Sequence, residues 1–137
     1  MEKGEIHALL GENGSGKSTL MNMLSGIYSP DKGQILIDGR PVTLNAPKDA
    51  IGLGIGMVHQ HFKLVEVFTA KENIIAGRKN GFFRKDRRLS QGIEAIGEKY
   101  GLEIHPDQKI YEMSVEEKQT VEIVKMLYRG VNVLICL

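Results

Sequence analysis

Gly11-Glu12-Asn13-Gly14-Ser15-Gly16-Lys17-Ser18-Thr19 puts three glycines, three hydroxyls and one lysine into nine residues. Glycine backbones can curl so that successive N–H groups point into one concavity, because no Cβ fills it. A helix starting at Lys17 would add its own free N–H groups and the positive end of its dipole. That is chemistry for an anion, and the spacing G-x-x-x-x-G-K-S suits the phosphates of a nucleotide such as ATP. The candidate nucleotide-binding residues are Gly11, Asn13, Gly14, Ser15, Gly16, Lys17, Ser18 and Thr19. Backbone N–H groups from Gly14 to Thr19 would cradle the phosphates, Lys17 would reach the β- and γ-phosphates, and the Ser18 hydroxyl would ligate Mg²⁺. The bland alternative is a glycine-rich turn with a chance lysine.

Such a loop works only when regular elements hold it. Glu5 to Leu10 reads as a buried strand, and Lys17 to Gly26 as a helix with Leu20, Met21, Met23 and Leu24 apolar and Gly26 as its stop. Ser29 to Gly33 is a turn, and Gln34 to Asp38 is a short strand closed by Asp38-Gly39. Asn45 is the expected N-cap of a short helix with Pro47 in its first turn and Gly52 as its stop. Ile55 to Gln60 reads as a strand, and Thr69 can cap a helix through Ala76. Gly77 to Ser90 is a basic, glycine-containing connector, and a helix near Arg87 to Tyr100 ends at Gly101. Ser114 and Glu117 have the spacing of a capping box, followed by apolar Val115, Val121, Ile123, Val124, Met126 and Leu127. Gly130 ends that helix, and Val131 to Leu137 reads as a buried strand. Strands alternating with helices predict an α/β core, with the middle of the chain forming a helical insertion.

Composition narrows the function classes. A length of 137 residues suits one domain or part of one. Lys and Arg number 18 against 17 Asp and Glu, a balance that gives no footprint for nucleic acid. The single cysteine, Cys136, suits a reducing compartment. No apolar run approaches the roughly 18 residues of a membrane span, and Met1-Glu2-Lys3-Gly4 carries no apolar leader. A soluble protein is therefore expected, with any membrane contact made through a partner. His59 and His61 bracket Gln60 at a spacing that could pair them on a metal. No carboxylate or cysteine stands near in sequence, so ordinary structural histidines are expected there, as at His7 and His105. Arg78, Lys79, Arg84, Lys85, Arg87 and Arg88 form a basic cluster that Asp86 interrupts, the pattern of a solvated face.

With these segments in hand, the chain resembles the ATP-binding-cassette (ABC) ATPases that drive membrane transporters, along essentially its whole length. "GEIHALLGENGSGKSTLMNMLSGIYSPDKGQILIDG" is similar to that family's Walker A stretch and following strand. "IGMVHQHFKLVEVFTAKENI" is similar to its Q-loop, and "MSVEEKQTVEIVKMLYRGVNVLI" to its signature segment and the strand leading to Walker B. The last two lean towards importers of simple sugars and nucleosides. The resemblance implies a P-loop NTPase of α/β class, a partial ABC ATPase core with a helical subdomain. Its parts would be a core through the Q-loop at 1–62, a mainly helical subdomain with the signature helix at 63–129, and a truncated Walker B strand at 130–137. It makes Lys17 and Gln60 the catalytic positions and Ser18 and Gln60 the Mg²⁺ contacts. Ser114, Val115 and Glu116 become the signature residues that face a nucleotide held by a second cassette. It implies an ATP-binding subunit that couples ATP binding and hydrolysis to uptake of a sugar or nucleoside. The partners would be a second cassette, separate or fused, and an integral membrane permease. The place would be the cytoplasm, peripheral on the membrane through the permease. Phe82 and Phe83 are the candidates for permease contact. Small-molecule kinases share the loop but lack a signature helix.

The chain also departs from that pattern. Glu116 replaces a signature glycine, and a carboxylate about 5 Å from a phosphate costs roughly 3 kcal/mol per charge pair at an effective dielectric near 20. Thr120 stands where the family usually has arginine, and Leu137 where Walker B would place its aspartate. The upstream strands, with the adenine-stacking aromatic, and the catalytic glutamate fall outside the sequence. A piece of a longer reading frame, or a degenerate copy, is the expectation. The competing function is a non-catalytic remnant that at most binds nucleotide phosphates.

Overall fold

The computed structural model describes residues 1–76 and 86–137, in two compact units, Met1–Leu53 and Gly54–Leu137. In the first unit, α1 spans Lys17–Leu24 and stops where Ser25 N–H returns to Met21 O at 2.9 Å and Gly26 N–H to Met23 O at 3.1 Å. Strands β1 (Ile35–Ile37) and β2 (Arg40–Val42) pair as an antiparallel hairpin, with Ile35 opposite Val42 and Ile37 opposite Arg40. Their turn has Asp38 at φ 51° and Gly39 at φ 74°. Two left-handed residues match the twist of the flanking strands, which is why Asp-Gly suits the position.

Helix α2 (Pro47–Gly52) corrects the expected cap. The N-cap residue is Ala46, not Asn45, and Asp49 Oδ2 accepts from Ala46 N–H at 3.1 Å and from Asn45 N–H at 3.0 Å. Pro47 at the first helical position needs no acceptor, so a carboxylate two residues later can serve the N–H groups ahead of it. A second correction concerns Glu5 to Leu10. These residues are not a buried strand: Ile6 is 99% and Leu10 88% exposed. A strand acquires its bonds only beside another strand, and both sheets among the described residues are two-stranded without this segment.

The second unit holds the larger core. Strand β3 (Ile55–Val58) runs parallel to β4 (Val133–Cys136), with Ile55 opposite Val133 and Val58 opposite Cys136. The ladder ends at that last pair, so β3 stops two residues short of the expected Gln60. All four β3 residues are buried, whereas in β4 only Ile135 is. The last strand, expected to be buried, is therefore only partly covered. Gly56 lies against the loop that follows α5 (Val115–Tyr128): a Cβ there would stand 2.9 Å from Val131 Cγ2 and 3.0 Å from Met126 Sδ. Helices α3 (Ala70–Ile75), α4 (Asp86–Tyr100) and α5, with a 3-10 turn at Ile110–Glu112, enclose Ala70, Ile74, Leu89, Ile93, Ile110, Met113, Val121 and Val124. Arg78, Lys79, Phe82, Phe83, Arg84 and Lys85 lie outside the described residues. Among the described residues no helix is long and apolar enough to cross a membrane.

Candidate nucleotide-phosphate site

The glycine loop and the start of α1 form one continuous exposed segment, with Lys17 half-buried. Ser15 N–H bonds Glu12 O at 3.1 Å, closing a tight turn, and Gly14 and Gly16 follow at φ 85° and 93°. A Cβ on Gly16 would meet nothing within 4 Å. The glycine is needed there for its left-handed backbone, not for space. Gly16 is the N-cap of α1, and it has no side chain to offer the helix. The first N–H of α1 with an acceptor in the helix is that of Leu20, to Gly16 O at 2.9 Å. Lys17, Ser18 and Thr19 precede it, so helical geometry leaves their N–H groups unmatched. No acidic residue lies in the first turn of α1.

Lys17 closes over this segment. Its ammonium donates to Gly11 O, to Glu12 O at 2.8 Å and more loosely to Ser15 Oγ at 3.4 Å. The loop carbonyls thus hold the cation against the glycine loop that leads into α1. Positive charge and convergent donors on one exposed surface suit an anion with several oxygens. The hydroxyls of Ser18 and Thr19 stand exposed on the first turn. A hard oxygen donor such as Ser18 Oγ is a fit ligand for Mg²⁺, which keeps most of its waters and takes few protein oxygens.

The starts of α3 and α5 are closed. Thr69 Oγ1 accepts from Glu72 N–H at 3.3 Å while Glu72 Oε2 accepts from Thr69 N–H at 2.7 Å. At α5, Ser114 Oγ accepts from Glu117 N–H at 3.2 Å and Glu117 Oε2 from Ser114 N–H at 2.7 Å. These backbone donations hold Glu72 and Glu117 below the usual carboxylate range. The expected capping box at Ser114 is present, and it occupies the serine hydroxyl. Val115 is 65% exposed, Glu116 is exposed beside it, and Thr120 Oγ1 donates to Glu116 O at 3.0 Å.

Gln60 lies exposed, two residues beyond β3, in the same unit as Ser114, Val115 and Glu116, whereas Gly11 to Thr19 belong to the other unit. His59 is half-buried, and burial, then the Lys63 charge, pushes it below its ordinary value, with Glu122 opposing. Among the described residues no three His, Cys, Asp or Glu side chains gather around a point that could hold a metal. Two residues escaped the sequence reading. Asn73 and Glu122 are each 2% exposed and bond the backbone of the segment that follows Gln60. The available signal was a polar residue in the buried phase of an apolar helix, Asn73 beside Ile74 and Glu122 beside Val121.

The family model described as ABC transporter matches residues 1–136. The chain is 55% identical over 137 residues to the guanosine import ATP-binding protein NupO of Bacillus subtilis (strain 168), covering 98% of this chain and 27% of that protein. It is 50% identical over 137 residues to the nucleoside import ATP-binding protein NupA of Lactococcus lactis subsp. cremoris (strain MG1363), again covering 98% and 27%. Among solved structures it resembles cbiO1 from Clostridium perfringens, part of the ABC transporter complex cbiONQ. The TM-score is 0.71 at 27% identity, over 93% of this chain and 51% of that one. The chain therefore spans about a quarter of the length of the curated relatives it matches.

Proposed function

Because the chain belongs to the ABC transporter family, we propose that its glycine loop binds the triphosphate of ATP with Mg²⁺, as part of a protein that powers nucleoside uptake. The single observation that carries this reading is the start of α1: an uncapped helix with no acidic residue, its N–H groups open and a lysine ammonium folded onto the loop that leads into it. Gly11, Asn13, Gly14, Ser15, Gly16, Lys17, Ser18 and Thr19 would hold the phosphates, with Ser18 Oγ as a metal ligand. Lys17 would leave its loop carbonyls for the phosphate oxygens, an exchange of acceptors that keeps the ammonium satisfied. Mg²⁺, when bound, neutralises charge on the phosphate oxygens. The resemblance alone assigns Gln60 to the same Mg²⁺ and to the attacking water. Both relatives named above import nucleosides, which supports a nucleoside over a sugar as cargo. A second cassette, a membrane permease and a cytoplasmic, membrane-peripheral place belong to the same proposal. So does the division into a core at 1–62, a helical subdomain with the signature helix at 63–129 and a final strand at 130–137.

A second reading, binding without turnover, is favoured by the start of α5. There the Ser114 hydroxyl is engaged by Glu117 N–H, and the Glu116 and Glu117 carboxylates stand in the first turn. Calorimetric titration with ATP and Mg²⁺ tests the shared part. The expected result is measurable binding that Lys17→Ala weakens at least tenfold, and unchanged affinity in that variant would refute the loop's role. Phosphate release separates the two readings: about one per second or faster, an ordinary enzyme rate, would sink the second.

A further inference from the structure

Glu122 carries a carboxyl group into the apolar interior of the second unit, 2% exposed and accompanied on α5 by buried Val121, Val124 and Met126. A buried carboxylate opposes folding unless partners compensate it. Its Oε1 accepts the backbone N–H of Lys63 at 3.2 Å, and the Lys125 ammonium stands 4.0 Å away on the same helix. His59 and Lys125 both feel its charge. His59 and Lys63 bracket the stretch that contains Gln60.

That stretch leaves β3 as irregular backbone, and its N–H groups need acceptors where they are covered. Side chains supply them. Lys63 N–H goes to Glu122, and Val65 N–H goes to Asn73 Oδ1 at 2.7 Å, while Asn73 Nδ2 donates back to Val65 O at 3.1 Å. Two buried polar residues from two helices thus act at alternate positions, as a neighbouring strand would. An extended residue advances about 3.3 Å, so the held amide lies within about 10 Å of chain from Gln60. Along α5, Glu122 is about 12 Å of helix from Ser114, at 1.5 Å per residue.

We propose that Glu122 is a positioning residue for Gln60: its carboxylate ties the segment carrying the glutamine to the helix that begins at Ser114, so that both move as one piece. The proposal rests on the reading of Gln60 as a Mg²⁺ contact given above. Glutamine at 122 would keep the acceptor for Lys63 N–H. Methionine would fill the same space without it.

Amide hydrogen exchange and thermal melting on wild type, Glu122→Gln and Glu122→Met test the tether. Wild type and E122Q are expected to protect Lys63 N–H alike. E122M is expected to speed its exchange at least tenfold, with Ile74 and Val121 as protected as before and no fall in melting temperature. Lys63 still protected in a folded E122M, or equally exposed in E122Q, would overturn the tether. An E122M chain that fails to fold would overturn it too, since the carboxylate would then be holding the core. Titration with ATP supplies the functional arm: E122M should lose at least threefold of the affinity gained on adding Mg²⁺, E122Q should keep it, and all three should agree in chelator. An undiminished Mg²⁺ gain in E122M would overturn the positioning role. If wild type binds no ATP in either condition, the nucleotide reading fails and the positioning role with it, whereas exchange at Lys63 still decides the tether.

Discussion

Helix α1 begins behind Gly16, whose left-handed backbone offers no side chain to the first turn, whereas α5 begins behind Ser114 with Glu117 folded back onto it. A capping side chain is worth about 1 kcal/mol to a helix. At α5 the chain takes that stabilisation and adds two carboxylates to the first turn, Glu116 and Glu117. At α1 it forgoes the cap and places the Lys17 ammonium there instead. The two starts have opposite charge and opposite hydrogen-bonding appetite. An open start has donors to give to a ligand; a closed one has already given them to its own chain.

Carrying one start's chemistry to the other is the strongest way to break this contrast. Thr19 holds the same position in α1, third in the helix, that Glu117 holds in α5. Thr19→Glu should place a carboxylate on the open N–H groups. On the proposed reading, repulsion of about 3 kcal/mol at roughly 5 Å and an effective dielectric near 20 should lower nucleotide affinity about a hundredfold. The helix itself should gain slightly from the charge at its N-terminus. Calorimetric titration reads the first effect and circular dichroism the second; retained affinity would show that the phosphates bind elsewhere.

The reverse test removes the closure. Ser114→Ala takes away the acceptor for Glu117 N–H at 3.2 Å and should cost about 1 kcal/mol in urea unfolding. The contrast predicts no change in nucleotide affinity for the isolated chain. A cost near zero would mean that packing of Val121 and Val124, and not the cap, sets the start of α5.

These contrasts were legible in the sequence to different depths. The glycine loop, the Asp38-Gly39 turn, the cap at Thr69 and the box at Ser114 are written within a few residues of one another, because backbone freedom and capping are local chemistry. Glu5 to Leu10 misled because a strand is a relation between segments: Ile6, Leu9 and Leu10 have the right composition, yet no described strand lies alongside. Asn45 misled for a smaller reason, since Asp49 reaches back past Pro47 and makes the cap from the other side. Glu122 shows in the sequence only as a polar residue in the buried phase of α5; its partner needs the knowledge that residue 63 returns to α5, 59 positions away in sequence.

The smallest expected effect is on acid stability, and it sharpens the same contrast. Glu117 is held below its ordinary value of 4.5 chiefly because it accepts the Ser114 N–H, and Glu72 likewise through Thr69. A carboxylate more acidic in the fold than in the unfolded chain binds its proton later. Its stabilising contribution is whole above 4.5 and disappears as pH falls through the lower folded value. His59, depressed chiefly by burial, works in a separate window: it costs nothing above 6.5, where it is neutral in both states, and a penalty for charging the buried ring grows between 6.5 and its lower folded value. Unfolding midpoints against pH should therefore fall in two stages for the second unit. Glu117→Gln should make only the stage below 4.5 shallower, Glu72 supplying the rest, and His59→Asn should flatten only the one below 6.5. The start of α1 has no carboxylate to titrate, so amide exchange at Leu20 should follow neither variant. Matching acid responses at Leu20 and Lys118, the two first in-helix donors, would erase the distinction between an open and a closed helix start.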